Sequence, residues 1–245
     1  MPSPSATRQM LKTMGIHTGQ TSGLWHNAPV LRAIQDPSYA YYFLDDFIGL
    51  PTGKYTATQA TAGTFALGDQ AGGVALADCN STTAAQGINV QLGTTVGECF
   101  VPAAGKDIWF EAKVKAADIA TGPEFFLGLA PVDTTIIASS ALSTSNHIGW
   151  VSTTDDNVLL FAAAKAAAAA TKAATTLVDD TYVTLGFKVN GVTSIDQYID
   201  GVLQSTTHVT ANIPVTEMTL SLVCQSGGTT DPIVHIDYWR CLQIR

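Results

Sequence analysis

The acidic residues of this chain come singly or as adjacent couples, namely Asp45-Asp46, Asp155-Asp156 and Asp179-Asp180. Hydrolysis of a glycosidic bond with retention needs two carboxyl groups about 5 to 5.5 Å apart. A single strand supplies such a pair only from positions two apart, because successive side chains point to opposite faces. No Asp or Glu here has another acid two residues away. The couples therefore read as turn and loop residues, and a catalytic pair would have to meet from different strands. Nucleophilic chemistry has no better footing. There is no Gly-x-Ser-x-Gly elbow, and Ser226 in Gln225-Ser226-Gly227-Gly228 looks like a turn residue. The glycine-rich stretches at 68–73 and 227–228 lack the Lys and following Ser or Thr of a phosphate loop.

Cys79, Cys99, Cys224 and Cys241 show neither Cys-x-x-Cys spacing nor His partners at zinc-finger distances. They are expected to be buried free thiols, with Cys224 and Cys241 as neighbours on the last two strands but not bonded. No catalytic residue, metal or cofactor is expected. The most suggestive surface group lies on the closing strand, where alternation puts His235, Asp237 and Trp239 on one face and Val234, Ile236, Tyr238 and Leu242 on the other. Trp109 and Glu111 form a similar couple. An aromatic ring beside a carboxylate and an imidazole can stack on a sugar or anchor a protein interface. The competing reading is a Trp covered by an arm of its own chain.

The elements that must carry these groups are strands. The chain has 245 residues, and charged residues make up 13% of it, against about 25% in an ordinary soluble domain. Such a surface suits dense packing against neighbours. The net charge of −8 disfavours nucleic acid as a partner, since phosphate binding needs clustered Lys and Arg. No stretch of eighteen apolar residues exists and no signal-peptide core opens the chain, so no membrane partner is expected, and the protein is expected to stay in the cytosol or leave with a particle. Residues 1–44 form an arm broken by Gly15, Gly19, Gly23, Pro29 and Pro37, with Arg8, Lys12 and Arg32 set against Asp36 alone. It is too apolar for a solvated tail. Leu24, Trp25, Leu31, Arg32, Tyr39 and Tyr41 are its expected partner-binding residues. Fully extended, it reaches on the order of 140 Å, enough to cross a neighbouring subunit. The alternative, that it folds back on its own domain, stays open. Under the first reading, deletion of residues 1–37 leaves a folded domain.

From residue 45 to 245 the chain reads as one all-β domain, a two-sheet antiparallel β-sandwich. Ile108, Phe110, Ala112 and Val114 alternate with Trp109, Glu111, Lys113 and Lys115. Val183, Leu185, Phe187 and Val189 alternate with Thr184, Gly186 and Lys188. Residues 125–130 are apolar in both phases, as in a central strand covered on both sides. Asp200-Gly201 predicts a hairpin, because both residues tolerate positive φ. The alanine-rich segment 162–174 has helical propensity, but a helix so short with no large side chain to bury is marginal in water. It is expected instead as two strands, 158–164 running out and 173–178 returning.

Short motifs then carry a resemblance: Asp45-Asp46-Phe47, Phe110-Glu111-Ala112-Lys113-Val114, Phe126-Leu127-Gly128-Leu129, His147-Ile148-Gly149-Trp150, Leu185-Gly186-Phe187-Lys188-Val189, Tyr198-Ile199-Asp200-Gly201 and Ile236-Asp237-Tyr238-Trp239. Together they resemble the concanavalin-like jelly roll, in particular the version found in phage structural proteins. The closing strand is also similar to that of laminarinase-type hydrolases, whose Glu-x-Asp-x-x-Glu strand is missing here. The resemblance implies a capsid decoration subunit on the surface of a phage head, binding the major capsid protein and copies of itself as a trimer through the arm and sheet faces. The other reading is a glycan-binding module that uses the face assigned to His235 and Trp239.

Overall fold

The computed structural model describes residues 23–59, 62–93, 98–120, 122–142, 146–153, 157–166 and 168–245. Two antiparallel sheets pack face to face. The eight-stranded sheet runs β15 (Val202–Val209), β14 (Ser194–Ile199), β13 (Val183–Asn190), β6 (Ile108–Ala117), β17 (Ile233–Ile244), β4 (Ala75–Asp78) and β3 (Thr64–Leu67). Its eighth strand, β1 (Ala40–Asp45), pairs with β17 beyond the point where β4 ends. The seven-stranded sheet runs β12 (Ala168–Thr176), β11 (Val158–Lys165), β10 (His147–Ser152), β7 (Pro123–Ala130), β16 (Thr219–Ser226), β5 (Gly87–Leu92) and β2 (Tyr55–Gln59). A small hairpin, β8 (Ile137–Ala138) with β9 (Ala141–Leu142), stands apart from both.

Alternation fixes which side chains meet between the sheets. Phe110, Ala112 and Val114 of β6 and Leu185, Phe187 and Val189 of β13 point inward, and the Phe110 and Phe187 rings stack at 4.8 Å. Trp150 and Phe161 approach from the other sheet, edge to face at 5.0 Å. Every residue of β7 is buried, which fits its place in the middle of the seven-stranded sheet. The Asp200-Gly201 turn forms with φ of 49° and 75°, the left-handed pair that a two-residue hairpin requires, and joins Ile199 to Val202.

Residues 162–165 and 168–174 are strand, as their lack of large side chains implied, but the turn comes earlier than the sequence suggested. β11 runs to Lys165 and β12 begins at Ala168, with Lys165 paired to Ala168. A tight turn through Ala166, at φ 47°, lets the return strand start five residues sooner than expected.

Residues 1–22 of the arm lie outside the described residues, and over the rest the structure takes the fold-back reading and moves the domain boundary. Residues 23–45 are part of the sandwich. Gly23 N–H donates to the Gly201 carbonyl (3.2 Å) at the β14–β15 turn, the chain then crosses the outer face of the eight-stranded sheet, and β1 closes onto β17. On the way it forms one short helix, α1 (Val30–Gln35), which ends where Pro37 disfavours helical geometry at the residue before it. The 44/45 boundary therefore falls inside a strand of the domain. Deleting residues 1–37 would remove part of the domain's packing, not a separable tail.

Candidate functional site

The outer face of the eight-stranded sheet lies beneath residues 23–39, which form a strap. Leu24 and Trp25 are 2% and 1% exposed and pack with Trp109, Leu242 and Ala40. Gly186 on β13 makes room for Leu24: a Cβ there would come within 2.5 Å of the leucine's Cδ2. Under Trp25 sits a buried ion pair. Arg240 Nε–H donates to Glu111 Oε1 at 3.0 Å, its Nη2 donates to the same oxygen, and the Tyr238 hydroxyl adds a third donor at 2.9 Å. The guanidinium carbon lies 4.1 Å from the centre of the Trp25 ring. Burial, and then the Glu111 charge, push the Tyr238 phenol up, so it remains a donor.

The outer face of the seven-stranded sheet is closed by a flap, residues 131–142, that connects β7 towards β10. Its floor is made of small residues, with Gly128 paired to Gly149 and Gly149 to Ala162. Over this floor Ile136 and Ile137, 0% and 2% exposed, pack with Phe126, Val151 and Val223. The flap's polar contacts are amides and, at Val132 and Ser140, the carboxylates of Glu98 and Glu124. Gln91 Nε2 donates to the Pro131 carbonyl at 2.9 Å, Asp133 N–H donates back to Gln91 Oε1 at 2.9 Å, and Asn89 Nδ2 donates to the Asp133 carbonyl at 2.5 Å. Ser140 hydrogen-bonds Glu124 at the flap's far end. His147 is buried on this face with its ring edge-on to Phe126.

The closing-strand group is broken up by a β-bulge. Against β6, Ile236 pairs with Val114 and Tyr238 with Lys113, so Asp237 is an extra residue. One inserted residue reverses the faces that follow it. Trp239 and Cys241 therefore enter the core, while Tyr238, Arg240 and Leu242 turn outward under the strap. Trp239 is fully buried and its Nε1–H donates to the Tyr55 hydroxyl at 3.1 Å. It is no surface anchor. His235 and Asp237 stay outside the core: Asp237 pairs with Lys113, and Lys115 pairs with Asp180 at 2.7 Å beside Tyr182. Burial, then the Lys115 charge, lower the His235 pKa. Trp109 is covered by the strap, as the competing reading of an aromatic under its own chain would have it.

The six arm residues divide in the same way. Leu24 and Trp25 are used up beneath the strap. Tyr41 is tied down at the rim, its hydroxyl donating to Gln243 and its ring 5.4 Å from Phe100. Arg32 is exposed and its guanidinium lies 3.5 Å from the Tyr39 ring centre, while Leu31 and Tyr39 are half-buried. Next to them Ile34 is 63% exposed. Sequence reading missed two features. One is the flap, whose only signal was the isoleucine pair Ile136-Ile137 in a loop. The other is a shallow cleft between Leu50, Pro51, Tyr55 and Phe65, where Tyr55 and Phe65 meet edge to face at 5.5 Å. Beneath it Asp45, 7% exposed, holds Lys54 at 2.7 Å and accepts from the Tyr55 hydroxyl.

Among the described residues no group of three or more His, Cys, Asp and Glu is placed to hold a metal ion. The two most buried carboxylates, Glu111 and Glu124, stand on different sheets and each has its own partner.

No protein-family model matches the chain, and no curated protein matches its sequence. Solved structures do share its shape. An endo-1,3-β-glucanase from Streptomyces sioyaensis superposes on 84% of this chain and 97% of its own, at TM-score 0.54 and 14% identity. The domain is a concanavalin-like jelly roll. The CBM2 module of the evolved Dit of Lactobacillus casei BL23 phage J-1 superposes on 84% of this chain and 96% of its own, at TM-score 0.53 and 13% identity. A protein of unknown function from Shewanella oneidensis MR-1 follows the chain over all of its length and 95% of its own, at TM-score 0.57 and 13% identity. The likeness to all three is one of fold.

Proposed function

We propose that this jelly roll is a non-catalytic binding subunit of a phage virion, a decoration protein that sits on the head and contacts the major capsid protein and sister copies. One observation carries the reading: the chain's own strap and flap lie across the middle of the two outer sheet faces, so among the described residues neither of those central areas is an open groove for a polymer substrate. The apolar side chains left outside, Ile34, Ile48, Val202 and Leu203, are 55 to 81% exposed and suit protein contact at the rim. The low charge fits close packing, and the fold shared with the CBM2 module of a phage Dit supports a phage setting. The test is the particle itself. In virions purified from cells carrying the gene, quantitative mass spectrometry should find the chain at a fixed multiple of the capsid protein. Its confinement to the lysate, with none in the particles, would overturn the proposal.

A second reading, a glycan-binding module, is favoured by the Tyr55–Phe65 cleft and by the kinship of fold with a glucanase and a CBM2 module. A glycan array on the intact chain, with Phe65→Ala as control, separates the two. Binding lost with that ring supports a sugar at the cleft, and silence across the array removes it.

A further inference from the structure

Cys79 directly follows β4 of the eight-stranded sheet, and Cys224 lies in β16 of the seven-stranded one. The sequence suggested Cys241 as the neighbour of Cys224, because both lie on the last two strands. Those strands belong to different sheets, and Cys224 instead meets a residue 145 positions away. Both side chains are fully buried in the common core, and their sulfurs are 3.1 Å apart, closer than two thiols need to be. The Pro232 carbonyl receives the Cys79 N–H at 3.2 Å and lies 3.4 Å from the Cys224 sulfur. It fixes both residues at one end of the sandwich.

We infer that Cys79 and Cys224 are a latent inter-sheet disulfide, formed when the chain folds in an oxidising medium and absent when it folds reduced. With oxidised glutathione as oxidant the step balances. One protein thiolate displaces a glutathione thiolate to give a mixed disulfide, and the second displaces the other glutathione. The protein loses two protons and two electrons, and two reduced glutathiones leave. The sulfurs need to close by about 1 Å, within the reach of side-chain rotation when the Cβ atoms are already near. The hydrogen bond to Cys224, and then burial, raise the Cys79 thiol well above its ordinary range. With neither sulfur reachable from solvent, exchange belongs to folding, before the sheets close. The link would join residues far apart in the chain, where closing a long loop has its largest effect on the unfolded state. The inference stands whether or not the virion role does.

The test uses the full chain carrying Cys99→Ser, which removes the one exposed thiol. It also resolves the peptide map, since trypsin leaves Cys79 and Cys99 together in 55–106, Cys224 in 189–240 and Cys241 in 241–245. After refolding in an oxidised and reduced glutathione couple, 55–106 should appear bonded to 189–240. Titratable thiols in the denatured protein should fall from three to one, given four cysteines in the chain less the one replaced. The melting temperature should stand about 5–10 °C above that of the same protein refolded with a reductant. Three reactive thiols in a folded product, or a link from 55–106 to 241–245, would overturn the inference. Cys224→Ala in the same background should abolish the bonded peptide. If that variant does not fold, the map of the parent still decides.

Discussion

The two outer faces of this sandwich are covered in different ways. The eight-stranded sheet is covered by a strap that precedes the domain's long strands in sequence and docks over a buried charge pair, Glu111 with Arg240. The seven-stranded sheet is covered by a flap that belongs to it, inserted between the adjacent strands β7 and β10, and held by isoleucines and by single hydrogen bonds, most of them between amides and backbone. The strap supplies neither partner of that pair, but Trp25 stacks on Arg240 and packs with Leu24, Trp109 and Leu242 in one cluster, so the strap should dock as a cooperative unit. Amide contacts to backbone are individually worth about 1 kcal/mol, so the flap should tolerate piecemeal loss. The difference also separates roles: the strap is part of the domain's stability, and its outward residues, among them Arg32, Ile34 and the half-buried Leu31 and Tyr39, remain for a partner.

The largest way to break this contrast is to remove the strap. Deletion of residues 1–37 strips Leu24, Trp25, Ala28 and Ala33 from the outer cluster and uncovers Trp109 and Leu242. The truncated chain should melt on the order of 10 °C lower and bind a hydrophobic dye. A truncation with unchanged melting and no dye binding would show that the strap is dispensable cover. Next in size is Glu111→Ala, which leaves Arg240 buried without its carboxylate and should cost about 3–5 kcal/mol in denaturant unfolding. Replacing both residues, Glu111→Met with Arg240→Met, should recover most of that loss, because a packed apolar pair avoids the desolvation of either charge. A double variant as unstable as the single one would mean that the pair holds the strap in a way that apolar contact cannot.

On the other sheet, Ile136→Ala should cost less than Glu111→Ala, about 2 kcal/mol, the low end for a buried isoleucine, since the flap's rim can settle over the small floor of Gly128, Gly149 and Ala162. Smaller again is Gly186→Ala, where the new methyl meets the far end of Leu24, which can yield, and the Phe110 carbonyl oxygen at a tight but tolerable 3.0 Å. About 1–2 kcal/mol is expected, with Leu24→Ala in the same chain relieving part of it. The matching change on the second sheet, Gly128→Ala, sharpens the comparison: there the methyl meets the Ile148 carbonyl oxygen at 2.2 Å, backbone that cannot step aside, and the loss should exceed that of Gly186→Ala. Denaturation midpoints of the two glycine variants measured side by side decide this.

What the sequence could disclose follows from the range of each interaction. Local periodicity identified β6, β13 and the wholly buried β7, and the Asp200-Gly201 turn could be read because positive φ is a property of those two residues. The lack of side chains worth burying in 162–174 was enough to identify strands there. The site was less legible. The bulge at Asp237 adds one residue, and nothing in His-x-Asp-x-Trp marks where it is added, so Trp239 was assigned to the surface when it lies in the core. The strap's destination and the meeting of Cys79 with Cys224 are contacts between parts of the chain far apart in sequence, and no local pattern encodes them. Gly186 was visible as the small residue on β13's outer face. Its reason, the seat for Leu24, became clear only with the strap in place.

The smallest effect concerns the part of the eight-stranded sheet's outer face that carries the Lys113, Lys115 and Asp237 patch. His235 sits there with its pKa lowered, first by burial and then by Lys115, with Asp180 opposing. A histidine whose folded pKa lies below its unfolded value near 6.5 binds more protons when unfolded. Stability therefore rises with pH across that window and is lost as pH falls through the unfolded pKa towards the folded one. Unfolding free energies measured from pH 7.5 to pH 5 should carry this slope in the native chain and lose part of it in His235→Gln. Lys115→Met should reduce the slope as well, because it removes the charge that disfavours the imidazolium. Asp180→Asn should steepen it, because Asp180 is the one neighbour that favours the charged ring. If the three variants share the native slope, His235 is solvated like an ordinary surface histidine, and this corner of the sheet belongs to neither covered face.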